Sequence, residues 1–390
     1  MKWPFTNIAE VEMLTRTSKY WGYLLLMGIL ISSCSPPEPI RIGFVADLTG
    51  ANAALGVDGR DGAMLAVDRI NGEGGVNERP IELVVRDDLG TSEGAIAVDG
   101  ELINDEKLFV IVGHMTSGTM MAAWEPFRNS GVIFLSPTVS TPQLKGLEDN
   151  FFRLIPVNSF VAEKLASYAA DELALKKVAV FYDTDNAAFT DTYREGFSNA
   201  FSRLGGEIVL EHAFSSQTGP DFKPVLNGLK DKSPDGLFIA ASAFDTALIA
   251  QQARLEGLDV KLLATNWALT DDLIENGGAA VDGIVTVVSH DENNQSVSHL
   301  DFEERFIERY GRSPSFAAGY GYEAILVLAN ALKKTNGEKN GLADALLETR
   351  DFPGVNGYIS FDPYGDVSRT LYLIVVRDGK FLTIRDFPAP

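Results

Sequence analysis

Apolar positions along this chain change period repeatedly, from short solid runs to helical spacing and back. Between residues 62 and 88, Ala63, Ala66, Val67 and Ile70 stand at i, i+3, i+4 and i+7. That is the stripe of a core-facing helix. Asn71, Gly72, Gly74 and Gly75 follow and predict its end, because glycine accepts the left-handed geometry of a helix C-terminus. The solid run from Ile81 to Val85 then predicts a strand ending at Asp87 and Asp88. A helix feeding a buried strand in this way is half of a βαβ unit.

The same alternation continues in two series. The first has strands predicted at 40–46, 81–86, 108–113 and 132–136, with helices such as 93–104 and 119–129 between them. The second begins after Pro156, with strands at 177–182, 207–211, 236–241, 260–264 and 283–288. Helices at 160–173, 191–204, 246–256 and 298–310 fill its gaps. Alternation of this kind predicts an α/β fold with parallel sheets, arranged as two Rossmann-like lobes.

The N-terminus breaks the pattern. Arg16 and Lys19 precede an apolar run from Trp21 to Ile31, the length of a signal-peptide core and short for a membrane span. It ends in Ile31-Ser32-Ser33-Cys34, which resembles the lipobox of bacterial lipoproteins. Residues 1–33 are therefore expected to be a lipoprotein signal peptide and Cys34 the lipidated residue. A start at Met13 would give a more ordinary signal, free of Glu10 and Glu12. Residues 34–39, rich in proline, would form a short stiff tether. Cys34 is the only cysteine, so no disulfide is expected in the exported domain, which is long enough to stand on its own core.

The formal net charge is −21. Such acidity argues against nucleic acid and against adsorption to anionic lipid. The four histidines, His114, His212, His290 and His299, are scattered, with no HExxH, no GxSxG and no metal-ligand cluster. No GxGxxG follows the first strand, so neither an enzyme nor a cofactor is expected, and no metal.

The segment Gly62-Ala63 through Leu65-Ala66-Val67, Ile70-Asn71 and Gly74-Gly75-Val76, with the strand ending in two aspartates, carries a further resemblance. So do Arg41-Ile42-Gly43-Phe44 through Leu48-Thr49-Gly50, Gly113-His114 through Thr119, and Leu135-Ser136-Pro137. In this order and spacing, from about Ile40 to the C-terminus, they resemble the extracytoplasmic solute-binding proteins of the leucine/isoleucine/valine-binding family. These are type I periplasmic binding proteins, the receptors of ABC importers for branched-chain amino acids and related small molecules. The resemblance implies three crossovers, near 156–159, 289–291 and 361–366. Lobe 1 would hold 40–156 plus 290–360, and lobe 2 would hold 158–288 plus 366–390, including a strand at 371–377. It implies hinge closure on a ligand, a permease and ATPase complex as partners, and a monomeric receptor. An alternative with the same fold is a sensory module signalling to a membrane receptor or kinase.

Site residues follow by matching positions. Ligands of parallel α/β lobes sit beyond the carboxyl ends of strands, and the loop from His114 to Thr119 offers hydroxyls and amides at a helix N-terminus. The family's carboxylate-binding serine falls on Ser117, and its head-group contacts after the next strand fall on Thr138 and Ser140. Its acidic residue for the ligand's ammonium falls on Asn266, and a second acidic position on Asn158, so both counter-charges are replaced by amides. Cleft tyrosines are replaced around Leu55, Ala188-Phe189 and Ala243-Phe244. Phe189, Phe244 and Trp267 are expected as walls. The expected ligand is a small amino acid or a carboxylate- or amide-bearing molecule with an apolar or aromatic body. Asp183, Asp185 and Asp245 are the acids left to replace the missing counter-charge.

Overall fold

The structure, a computed structural model, describes Met1 and residues 37–388. The signal segment, Cys34 and the first part of the tether lie outside the described residues. Pro39–Pro390 forms one compact unit. Among the described residues no helix is long and apolar enough to cross a membrane.

The first half runs β1 (Ile40–Ala46), α1 (Ala53–Gly72), β2 (Ile81–Asp87), α2 (Ser92–Ile103), β3 (Leu108–Gly113), α3 (Ser117–Phe127), β4 (Ile133–Ser136) and β5 (Phe151–Arg153). The strands form one five-stranded sheet in the order β2-β1-β3-β4-β5, parallel throughout. The chain then builds α4 (Asn158–Asp171), β6 (Lys177–Asp183), α5 (Ala187–Arg203), β7 (Glu207–Phe214), α6 (Lys223–Leu229), β8 (Gly236–Ala240), α7 (Ala243–Leu255), β9 (Lys261–Ala264), α8 (Asp271–Gly277) and β10 (Val285–Val288). It returns to the first half with α9 (Val297–Tyr310), α10 (Phe316–Lys334), α11 (Leu342–Leu347) and a small hairpin, β11 (Phe352–Gly354) and β12 (Gly357–Ile359). Last come β13 (Leu371–Arg377) and β14 (Lys380–Phe387), which complete a seven-stranded sheet ordered β14-β13-β10-β9-β8-β6-β7.

The parallel sheets expected from the sequence are present, and the seven-stranded one gains an antiparallel edge. β13 runs antiparallel to β10, and β14 antiparallel to β13. The turn between them is Asp378-Gly379, with φ of +51° and +67°. An aspartate–glycine pair with positive φ at both positions closes a two-residue hairpin whose twist suits its strands.

The stripe read from the sequence is the packed face of α1: Ala63, Ala66, Val67 and Ile70 are all buried. α1 lies against α10, an interface permitted by missing side chains. A Cβ at Gly62 would collide with the carbonyl of Ala318, and one at Gly321 with the carbonyl of Gly59. Gly74 and Gly75 have φ of +102° and +78°, so the glycines after α1 do turn the chain.

Several helices start ahead of their apolar stripe. α3 begins at Ser117 rather than Thr119, and α7 at Ala243 rather than Thr246. Their first turns are set by N-caps: Thr116 accepts from the Thr119 amide, and Ser242 from the Asp245 amide. A capping hydroxyl fixes the start of a helix independently of which face is apolar.

Buried polar contacts pin the three segments that pass between the sheets. Arg153 Nε lies 2.6 Å from Asp366 Oδ1. The Tyr320 hydroxyl donates to the Ser289 carbonyl at 2.9 Å. Arg369 Nη2 donates to Glu323 Oε2 at 2.6 Å, and its guanidinium lies over the Tyr320 ring.

Candidate functional site

The carboxyl ends of β3 and β4 in one sheet face those of β6, β8 and β9 in the other, and the loops that follow them line the space between. The loop after β3 is held from below. His114 is fully buried, with Nδ1 2.7 Å from Asp88 Oδ2 and Nε2 3.0 Å from Asp99 Oδ2. Burial pushes the imidazole pKa down, but the Asp99 and Asp88 carboxylates outweigh it and hold it up at about 9. The ring is thus a buried cation at neutral pH, clamping the loop to the end of β2 and to the middle of α2. Ser136 Oγ donates to the His114 carbonyl at 2.9 Å, and Thr138 Oγ1 to the Met115 carbonyl at 2.6 Å.

α3 opens from this loop. A helix N-terminus presents amides without intrahelical acceptors. Here the Thr119 amide is taken by Thr116 Oγ1, while the Gly118 amide donates across the space to Asn186 Oδ1 at 2.9 Å. Ser117, in the first turn, is 2% exposed and its Oγ has no hydrogen-bond partner. A buried hydroxyl without a partner carries a desolvation penalty, so this one marks a position that an incoming polar atom would improve.

A cavity of about 20 Å³ lies between the sheets, lined by Leu55, Met115, Thr116, Ser117, Thr138, Asn186, Phe189, Asn266, Trp267 and Phe316. It joins Ser117, Thr138, Phe189, Asn266 and Trp267, five of the residues singled out from the sequence. Phe189 and Trp267 meet edge to face, with centroids 5.8 Å apart. The other three lie elsewhere. Asn158 is buried at the start of α4, its amide donating to the Phe189 carbonyl and to Thr192 Oγ1. It therefore supports the Phe189 wall from behind. Ser140 is buried with an unpartnered Oγ, and its carbonyl accepts from the backbone N–H of Asn158 at 2.8 Å. Phe244 is 58% exposed in the first turn of α7 and lines neither this cavity nor its neighbour.

Sequence reasoning passed over Met115, Asn186 and Phe316 as site residues. Asn186 was legible as a helix-start residue just ahead of α5. Phe316 belongs to α10, where the near-continuous apolar run hides any stripe.

A larger cavity, about 370 Å³, adjoins the first and shares Thr116, Asn186 and Trp267 with it. Its walls include Asp47, Glu93, Asp183 and Asp185. Asp183 is 2% exposed; burial raises its carboxyl to about 6, and the Asp185 charge adds to the rise. Asp183 Oδ1 accepts from the Asp185 amide at 3.0 Å. Asp185 is engaged by Ser215 Oγ, and Asp245 by the hydroxyls of Ser216 and Ser242. None of the described residues lining either cavity is Lys, Arg or His. Among the described residues no group of three or more His, Cys, Asp or Glu could hold a metal ion.

The periplasmic binding protein family model matches residues 39–380. The chain is 26% identical to an amino acid binding protein of Pseudomonas aeruginosa, over 87% of this chain and 91% of that one. In structure it resembles the branched-chain amino acid transporter substrate-binding protein LivJ from Streptococcus pneumoniae, solved in complex with isoleucine. The two are 27% identical with a TM-score of 0.82, over 90% of this chain and all of that one. It also resembles a solute-binding protein of an ABC transporter from Rhodopseudomonas palustris BisB5, in complex with 3,4-dihydroxy benzoic acid. There the identity is 25% and the TM-score 0.80, over 90% and 98% of the two chains. The chain belongs to the type I periplasmic binding proteins of the branched-chain amino acid family.

Proposed function

We propose that this protein is the extracytoplasmic, lipid-anchored solute receptor of a branched-chain-amino-acid-type ABC importer. Its ligand is a small amino acid, or a carboxylate- or amide-bearing molecule, held between the lobes. The observation that carries the reading is the buried, unpartnered Ser117 hydroxyl at the N-terminus of α3, facing the Phe189–Trp267 wall across a cavity between the two sheets. The relatives solved with isoleucine and with 3,4-dihydroxy benzoic acid support a carboxylate on an apolar body.

In this reading lobe 1 comprises 40–156 plus 290–360, and lobe 2 comprises 158–288 plus 366–390. The ligand docks on lobe 1 through Ser117 and Thr138, and lobe 2 closes over it about the three crossing segments. The closed form is what the permease and its ATPase recognise. A central cavity of about 20 Å³ has room for roughly one water molecule, so entry of a ligand body there requires the lobes to part. Residues 1–33 act as the export signal, and Cys34 carries the acyl chains.

A thermal-shift screen of the chain from Ser35 onward tests the reading. Its panel covers the common amino acids, their amides, and aliphatic and aromatic carboxylates. A ligand at a hundred times its dissociation constant adds about 2.7 kcal/mol, a readily measured shift. The expected result is a hit whose affinity by calorimetry falls in Ser117→Ala while the thermal midpoint of the free protein holds. Unchanged affinity would remove Ser117 from the site, and silence across the panel would overturn the receptor reading.

A further inference from the structure

The room between the sheets is unevenly distributed. The part beside Ser117 measures about 20 Å³, while the adjoining part, reached past Thr116, Asn186 and Trp267, measures about 370 Å³. A small-molecule site needs a few hundred Å³, so most of a ligand held in this conformation lies in the second part. That part is walled by Asp47, Glu93, Asp183 and Asp185 and by no basic side chain among the described residues.

Resting on the receptor reading above, we propose that the ligand carries a cationic group at the end remote from its carboxylate, seated against Asp183. The class is an ω-ammonium or guanidinium carboxylic acid rather than a simple α-amino acid or a fatty or aromatic acid.

Two independent features point to the two ends. At one end the Ser117 Oγ is buried and lacks a partner, beside the first turn of α3, where a carboxylate is favoured. At the other end Asp183 is 2% exposed, and the charged neighbour that acts on it is another acid, Asp185. A buried carboxyl without a counter-cation costs free energy, which an ammonium from the ligand would offset. Asp183 accepts from the backbone amides of Asp185 and Ser216, as Asp185 accepts from Ser215 and the Gln217 amide and Asp245 from Ser216 and Ser242. What Asp183 lacks, at 2% exposure, is a cation. Asn266 lines only the smaller part, and Asn158 lines neither. Neither is placed to hold a remote cation. The counter-charge missing after β9 is thus replaced at the end of β6.

Matched pairs of ligands test this: hexanoate against 6-aminohexanoate, and 4-methylbenzoate against 4-(aminomethyl)benzoate. Each is titrated by calorimetry into the wild-type protein, Asp183→Asn and Ser117→Ala. The ammonium member of a pair should bind about tenfold or more tighter, as expected for a charge-assisted hydrogen bond. Asp183→Asn should bring that ratio toward one, while Ser117→Ala weakens the ammonium member without abolishing the ratio. Equal affinities within the wild-type pairs overturn the inference and leave the receptor reading standing, as does a ratio that survives in Asp183→Asn. The wild-type comparison holds even if a variant fails to fold. Binding of an α-amino acid with none of the four also overturns the inference alone. Silence across these ligands and the wider panel overturns both.

Discussion

The amide of Gly118, in the first turn of α3, donates to Oδ1 of Asn186, ahead of α5, at 2.9 Å. This bond joins an element of the five-stranded half to one of the seven-stranded half, next to the unpartnered Ser117 hydroxyl. It lies where an anion at the helix N-terminus would compete for the same donors. In the receptor proposed above, this bond makes Asn186 a latch as well as a cavity wall. Asn186→Ala should shift the equilibrium between closed and open forms toward open. A net hydrogen bond is worth about 1 kcal/mol, or about fivefold in that equilibrium constant. Small-angle scattering of the ligand-free protein should show a larger radius of gyration. An unchanged radius would mean that the bond does not hold the lobes together.

The loop carrying Ser117 owes its position to His114. Its pKa is raised from 6.5 to about 9 by Asp99 and Asp88 acting against burial. A raised pKa means that the folded state binds the proton more tightly, so this contribution is complete below about pH 6.5. It is lost as the pH climbs to about 9, on the order of 3 kcal/mol over the window. The wild-type thermal midpoint should fall across that range, whereas His114→Asn should start lower and stay flatter. Parallel pH profiles for the two proteins would contradict the assignment.

Asp183 behaves in the opposite sense. Burial raises its carboxyl from 3.8 to about 6, so the folded state gives up stability as the pH rises from about 4 to about 6. The cost is on the order of 3 kcal/mol once the group is ionised. Asp183→Asn keeps an acceptor for the Asp185 amide and removes the charge. It should melt higher than wild type at pH 7 and no higher at pH 4. A variant less stable at pH 7 would mean that the carboxylate is already compensated.

Glu323 and Arg369 form a buried pair, 0% and 2% exposed as side chains, at the last crossing between the sheets. Removing one partner of such a pair costs about 3–5 kcal/mol, because the other charge is left buried, whereas replacing both costs much less. Arg369→Met should be strongly destabilised in denaturant titration, and Glu323→Gln with Arg369→Met should recover part of the loss. A double variant worse than either single would show that the pair is not coupled.

Much of this architecture could be read from periodicity. The α1 stripe and most strands of both sheets carry patterns that a short window detects, whereas the three-residue β5 and the largely exposed β14 do not. α10 escaped because it is buried nearly all round and has no polar face to set a period. The hairpin of β13 and β14 is signalled only by the Asp378-Gly379 pair, because a two-residue turn leaves no mark on the alternation of strands and helices. Five site residues lie together in the cavity because they sit directly after strands, where the fold gathers loops. Ser140, Asn158 and Phe244 do not, and the reason is orientation. Sequence position after a strand puts a residue near the space between the lobes, but helix phase and turn geometry decide which way it faces. The acid-lined extension was hidden because Asp47, Glu93 and Asp183 are far apart in sequence and meet only through tertiary packing.

The pairing of β13 with β10 also bears on how the molecule is made. A sheet begun at Lys177 is closed off only by strands that end at Phe387, after the chain has gone back to build α9 and α10. Contacts of such sequence separation are slow to form. Until the last residues are synthesised, β10 keeps a raw edge that β13 will later cover. The seven-stranded half of such a chain is completed only when β13 and β14 arrive, and a half-built sheet is easier to thread through a narrow channel than a finished one.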